Sequence, residues 1–138
     1  MTVKSTRFRL STKGEVDIFD ITAKVTEAVR SSGIHEGIAC VATVGSTAAV
    51  TTMENEHGLV QDLRAAIERL IPQRHAYKHN SAGDDNGHSH LRSTLLGTSV
   101  TLPVSEGRPV LGKWQQVLFV ELDDRPRDRE LFVQVIGE

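Results

Sequence analysis

Four of the six histidines, His75, His79, His88 and His90, fall between residues 73 and 90. This stretch has no apolar periodicity and also carries Gly83 and Asp84-Asp85-Asn86-Gly87. Neutral imidazole is the commonest ligand for zinc-like metals and a ready proton carrier near neutral pH. His79 and His90 flank the segment, and His88 stands two residues before His90, on the same face if the chain is extended there. A catalytic zinc takes three protein ligands and a water. His79 and His90 with Glu54 or Asp62 would supply three, across distances that only folding can close. Glu54 also suits a general base, although a carboxylate where a strand hands over to a helix is favourable on electrostatic grounds alone. On one helix Asp62 would lie roughly 12 Å further along the axis, so the two are no close pair. The spacing matches no compact zinc signature. A solvated loop whose histidines bond carbonyls or carboxylates is the plain alternative, with His57 and His75 on the surface and His35 in a loop.

Asp84, Asp85 and Asn86 are hard oxygen donors of the kind magnesium accepts, while Asn86-Gly87 is also a strong turn pair. Arg125, Arg127 and Arg129 alternate, so in an extended segment they share a face. Three guanidinium groups there could hold a phosphate, or could pair with Asp123, Asp124, Asp128 and Glu130. Ser46 and Thr47 lack a nucleophile elbow and an orienting base, which points to hydroxyls that bind a substrate anion or the backbone. Trp114, the only tryptophan, offers either core packing or an aromatic wall for a heterocycle.

These residues need elements to position them. Phe8 and Leu10 alternate with Arg7 and Arg9, and after a turn at Lys13-Gly14 the pattern resumes at Val16 and Ile18, the signature of a β-hairpin. Asp20 caps a helix whose stripe is Ile21, Val25, Ala28 and Val29, and Gly33 closes it. Gly37 to Val44 and Thr47 to Met53 read as strands. A second helix from about Glu56 to Leu70 carries Leu59, Val60, Leu63, Ala66, Ile67 and Leu70, and stops at Pro72. After a long polar loop and a short helical or turn segment from Leu91 to Leu96, three more strands follow near residues 99–104, 115–122 and 131–136. Strands come in runs, which argues against a Rossmann or TIM arrangement. The expected class is mainly β (α+β), an antiparallel β-sandwich or open barrel with two flanking helices, over one domain, 1–138.

Composition narrows the field. With 38% apolar and 25% charged residues the chain is neither disordered nor fibrous,. A net charge of −2 gives no footprint for nucleic acid or for a membrane surface,. The start of the chain lacks a signal-peptide apolar region, and a cytoplasmic, soluble protein is expected. Cys40, the single cysteine, sits in the run Ile38 to Ala42 and reads as a buried, inert thiol,.

Four segments, in order, give the chain a resemblance. They are Gly45-Ser46-Thr47-Ala48-Ala49-Val50-Thr51-Thr52-Met53-Glu54-Asn55-Glu56 with Asp62, then Tyr77-Lys78-His79-Asn80 through Asp84-Asp85-Asn86-Gly87-His88-Ser89-His90-Leu91. Leu95-Leu96-Gly97, Leu102-Pro103-Val104, Gly107-Arg108 and Leu111-Gly112-Lys113-Trp114-Gln115-Gln116 follow, and then Glu121 to Arg129. Together they resemble the YjbQ family, also called the secondary thiamine-phosphate synthase family. The resemblance implies a jelly-roll-type sandwich and a homotrimer. It implies catalytic roles for Glu54, His79, Asn86 and His90, and a divalent metal, magnesium or zinc, at His79 and His90, with His88 less firmly attached. Substrate or anion contacts would come from Ser46, Thr47, Trp114, Arg125, Arg127 and Arg129. The implied reaction joins a pyrimidine methyl pyrophosphate to a thiazole phosphate. Many members of the family carry His-Thr-Thr-Ala where this chain has Gly45-Ser46-Thr47-Ala48, so no role of that first histidine passes to Gly45. Two other functions fit the same residues: a metal-dependent hydrolase or lyase acting on a small phosphorylated metabolite, and a non-catalytic trimeric binder of a small ligand or anion.

Overall fold

The computed structural model describes all 138 residues, Met1 to Glu138. In chain order the elements are β1 (Thr2–Ser11), β2 (Ile18–Asp20), α1 (Thr22–Ser32), β3 (Gly37–Thr43), β4 (Ala48–Met53), α2 (His57–Leu70), a 3-10 helix (Lys78–Ala82), α3 (Gly87–Leu96), β5 (Ser99–Ser105), β6 (Arg108–Pro109), β7 (Gln116–Glu121) and β8 (Asp128–Gly137). They form two antiparallel sheets, one ordered β1-β8-β3-β5-β6 and one ordered β2-β7-β4. The mainly β, antiparallel architecture expected from the strand pattern is the one observed.

Alternation decides which side chains enter the core. In β8, Leu131, Val133 and Val135 are buried, and in β3 Ala39 and Val41 are buried. They meet Val117 and Phe119 of β7, Ala48 and Val50 of β4 and the inner stripe of α1 in one cluster. The other face of the small sheet, with Ala49, Val120 and Leu122, is covered by Ile67 and Leu63 of α2 and by Leu96 of α3. Strand β7 is therefore apolar on both faces and shows no alternation. At about 25 cal/mol per Å² of apolar surface removed from water, this inter-sheet burial is the main stabilising term.

Helix signals in the sequence place the boundaries closely. Gly33 ends α1 in the left-handed region at φ 73°. Asp20 lies one residue before the capping position, yet its Oδ1 still accepts from the Thr22 N–H at 3.0 Å. Glu56 caps α2, accepting from Gly58 and Leu59.

Three expectations are corrected. β1 and β2 do not form a hairpin, because β1 pairs with β8 and β2 with β7, in different sheets. Cys40 is not buried but half-exposed, since β3 turns Ala39 and Val41 inward and so turns Cys40 out. Residues 73–90 are not one long loop. The 3-10 helix occupies their middle, and α3 begins at Gly87, four residues before the expected start. No helix of the chain is long and apolar enough to cross a membrane.

Candidate functional site

The 3-10 helix and the start of α3 are held together through Gly87. A Cβ at that position would lie 2.7 Å from the Tyr77 Cβ and 2.9 Å from Asn80 Oδ1. Asn80 Oδ1 accepts from the Gly87 N–H at 2.9 Å, and the Tyr77 hydroxyl donates to the Pro72 carbonyl. The Asn86-Gly87 pair is thus a helix entrance and a close backbone approach, not a hairpin turn.

This clamp brings three of the sequence-selected residues together. His79 Nε2 lies 3.1 Å from Asn86 Oδ1 and 3.4 Å from Asp84 Oδ2. Both oxygens can accept from an Nε2–H, and Nδ1 is the ring nitrogen without a partner in the chain,. The His90 ring meets the His79 ring edge-on at 4.7 Å between centroids. Asp84, which the sequence assigns to a turn ahead of magnesium, is the carboxylate at this site.

His88 belongs elsewhere. In an α-helix residues two apart point to nearly opposite sides, so the extended-chain argument that paired His88 with His90 does not hold. The His88 side chain is fully buried and its Nε2 lies 3.0 Å from Glu15 Oε2. Arg92 bridges Glu15 and Glu68 next to it and donates from Nε to the Ile71 carbonyl. These contacts tie α3 to the β1–β2 connection and to the end of α2.

Glu54 and Trp114 are also not part of the histidine cluster. They line a shallow surface pocket with Asp20, Asn55, Glu56 and Gln116. Strand pairing sets Met53 opposite Gln116 at that end and Ala48 opposite Glu121 at the other, about 17 Å apart along the strand. The histidine cluster belongs to the Ala48 end. Ser93 of α3 donates to the Ala48 carbonyl at 2.6 Å, and Asp85 lies 3.7 Å from Arg125 in the β7–β8 turn. Trp114 is mostly exposed, so it is not a core residue. Asp62 is exposed on α2.

At the Ala48 end the three arginines part company. Glu121 continues the inward face of Val117 and Phe119, and Arg129 continues that of Leu131 and Val133, so the two charges meet at the edge of the main core. Glu121 is fully buried and Arg129 is 7% exposed. Arg129 Nε donates to Glu121 Oε1 at 2.8 Å, and Nη2 reaches Glu121 Oε2, Thr47 Oγ1 at 2.8 Å and the Thr47 carbonyl at 3.1 Å. Thr12 donates to Glu121 at 2.7 Å. Arg127 forks onto Asp123 Oδ2, at 2.9 Å from Nε. Only Arg125 is mostly exposed and loosely paired, at 3.7 Å from each of Asp85 and Asp124. Pairing of Arg127 with Asp123 and of Arg125 with Asp124 is the alternative the sequence offers, whereas the Arg129–Glu121 pair is not legible there, because alternation along an extended segment does not say which strand faces it.

The two adjacent aspartates titrate apart. Burial alone would raise Asp123, but the Arg127 guanidinium and the Asp124 N–H outweigh it and bring its carboxyl down to about 2. Asp124 is raised, by burial first, then by sharing a hydrogen bond with Asp123 and by the negative charges of Asp85 and Asp123. This end of the molecule therefore offers two imidazoles, Asn86, Asp84 and Arg125 to solvent, above an internal ion-pair network. Within one chain no three His, Cys, Asp or Glu side chains are grouped so as to hold a metal ion, whereas a catalytic zinc takes three protein ligands.

Comparison with known proteins agrees with this architecture. The model for the family described as "UPF0047 protein YjbQ-like" matches residues 6–138. A UPF0047 protein of Methanothermobacter thermautotrophicus is 41% identical over 138 residues, spanning 100% of this chain and 95% of that protein. One from Archaeoglobus fulgidus is 40% identical over 127 residues, 92% of this chain and 97% of the relative. Among solved structures, a YjbQ-like protein of unknown function from Sulfolobus solfataricus superposes with a TM-score of 0.90 at 35% identity, covering 99% of this chain and 100% of that one. A hypothetical protein from Aeropyrum pernix gives 0.91 at 36% identity, covering 98% and 99%. With a match over nearly its whole length and relatives at this level of identity, the chain belongs to the UPF0047, YjbQ-like family.

Proposed function

We propose that the chain is an enzyme acting on a small phosphorylated metabolite, with His79 and His90 as its proton-handling pair. The observation that carries this reading is the fixed His79 ring. Asn86 Oδ1 and Asp84 Oδ2 hold its Nε2–H, which orients Nδ1 as a base or acceptor next to a second, half-exposed imidazole. The specific reaction proposed is a thiamine-phosphate synthase-type condensation, which the family resemblance favours. A carbon–nitrogen bond forms between the pyrimidine methylene and the thiazole nitrogen. The carbon–oxygen bond to pyrophosphate breaks, and its electron pair leaves with the pyrophosphate. Arg125 offsets the charge of the departing group, and a protonated His90 or His79 donates a hydrogen bond to it.

A divalent metal, magnesium or zinc, is the second reading, favoured by the same geometry. A metal-ligating histidine commonly donates its other N–H to a carboxylate or amide oxygen. In one chain His79 and His90 are the only imidazoles at the site, so the metal needs a further ligand from the substrate or from another copy. We propose a homotrimer as the assembly that would bring Glu54 and Trp114 of one copy towards the histidines of another.

The test is growth of a strain lacking thiamine-phosphate synthase, together with metal quantification of the purified protein. Rescue by wild type that is lost in folded His79→Ala and His90→Ala variants is expected. Rescue that persists in both variants, or no rescue and no turnover by wild type, would overturn the condensation reading.

A further inference from the structure

Arg129 has five N–H donors, and the chain occupies only those on Nε and Nη2. Its Nη1 donates to nothing. A guanidinium that is 7% exposed and bidentate to a fully buried Glu121 has no freedom to swing towards solvent. The direction of its remaining two donors is therefore set by the fold. Nη1 lies beside Gly45. A Cβ built on Gly45 would lie 3.1 Å from Arg129 Nη1 and within 4 Å of nothing else. Glycine at this position thus opens a slot from the exposed β3–β4 turn down to the buried arginine.

The turn itself supplies more donors. The backbone N–H groups of Gly45, Ser46 and Thr47 donate to no acceptor in the chain, whereas the Val44 N–H is used by the Glu130 carbonyl. Thr47 is buried as a residue, under the exposed Gly45 and Ser46. Successive free N–H groups beside a guanidinium form a cradle suited to an oxyanion. Glu121 already neutralises Arg129, so this cradle binds through directed hydrogen bonds rather than through a large positive field.

We propose that the slot at Gly45 binds one phosphoryl group of the substrate, using Arg129 Nη1 and the N–H groups of Gly45 to Thr47. The proposal deepens the reading of this end of the molecule as a site for a phosphorylated metabolite, and it rests on that reading. It gives Arg129 a ligand-binding role through the one nitrogen its structural role leaves over.

Titration calorimetry at constant ionic strength, with inorganic phosphate, pyrophosphate and acetate as probes, tests it on the full-length protein. Ser46→Asp places a carboxylate on the exposed rim without touching the core, and Gly45→Ala puts a methyl group into the slot. Saturable binding of phosphate or pyrophosphate by wild type is expected. It should weaken by about tenfold or more in both variants, as a like charge on the rim or a filled slot demands. If Gly45→Ala does not fold, Ser46→Asp decides alone. No saturable binding by wild type would overturn the slot, as would wild-type affinity in the folded variants, or acetate binding as tightly as phosphate. Binding lost in His79→Ala but kept in Ser46→Asp would place the anion at the histidines and overturn it too. Loss of rescue in His79→Ala speaks only to the catalytic reading, so the two proposals fail separately.

Discussion

Replacing Arg129 by methionine should be among the most damaging single changes in the chain. The substitution keeps most of the side-chain volume but removes the cation from Glu121, which is fully buried. Glu121 would keep only Thr12 and the Asp123 N–H as donors. Leaving one member of a buried ion pair without its partner costs about 3–5 kcal/mol. An unfolding entropy of about 2.1 cal/mol/K per residue gives roughly 0.3 kcal/mol per kelvin for a chain of this size. The melting temperature should therefore fall by roughly 10–17 °C, read by circular dichroism at fixed protein concentration. The double variant Arg129→Met with Glu121→Leu removes both charges and should recover most of the loss. Arg129→Lys keeps the charge without the fork and should fall between. A drop of less than about 1 kcal/mol in Arg129→Met, or a double variant no better than the single, would refute the assignment of this pair as a buried, mutually dependent unit.

The histidines should separate by role. His88→Ala removes a fully buried ring from Glu15 and should destabilise by about 3 kcal/mol, whereas His79→Ala should stay within about 0.5 kcal/mol. Chemical denaturation of both variants checks this, and equal effects would contradict the division. Asp123 is depressed from 3.8 to about 2 in the folded state, so its stabilisation is present above pH 4 and is lost as the pH falls towards 2. Raised Asp124 works in the opposite sense and offsets part of it. Arg127→Gln should move the acid-unfolding midpoint to higher pH, and an unchanged midpoint would count against the Arg127–Asp123 pairing. Gly87→Ala should destabilise by about 1–3 kcal/mol, because its methyl would lie 2.7 Å from the Tyr77 Cβ. A neutral result in a thermal melt would mean that the two segments are not clamped there.

Much of the scaffold can be read from local chemistry. The caps at Glu56 and Gly33, the stop at Pro72 and the inward sets of β3 and β8 follow from local conformational preference and period-two patterning. Strand partnership does not. A hairpin between β1 and β2 is the economical reading of residues 8–18, but each strand finds its partner near the far end of the chain, about a hundred residues away or more. The candidate site is legible to the same degree. His79, Asn86 and His90 converge as their types and flanking positions suggest. His88 separates from them because the segment is helical, and Glu54 separates because β4 carries it to the far end of the sheet. Which arginine is spare depends on which inward face each strand continues, and that requires knowing that β7 and β8 face each other across the core.

The glycine at position 87 has a consequence for how this region can change. Because the contact is between main chain and the Tyr77 side chain, residues 77, 80 and 87 must vary together, and Gly83 is held to glycine by its left-handed φ of 99°, whereas Ser81 and Ala82 are exposed and free of both constraints. New side chains are therefore best tolerated at 81 and 82. A library built there would alter the rim beside His79 while leaving the clamp between the 3-10 helix and α3 intact, making 81 and 82 the simplest place to reshape what the site admits.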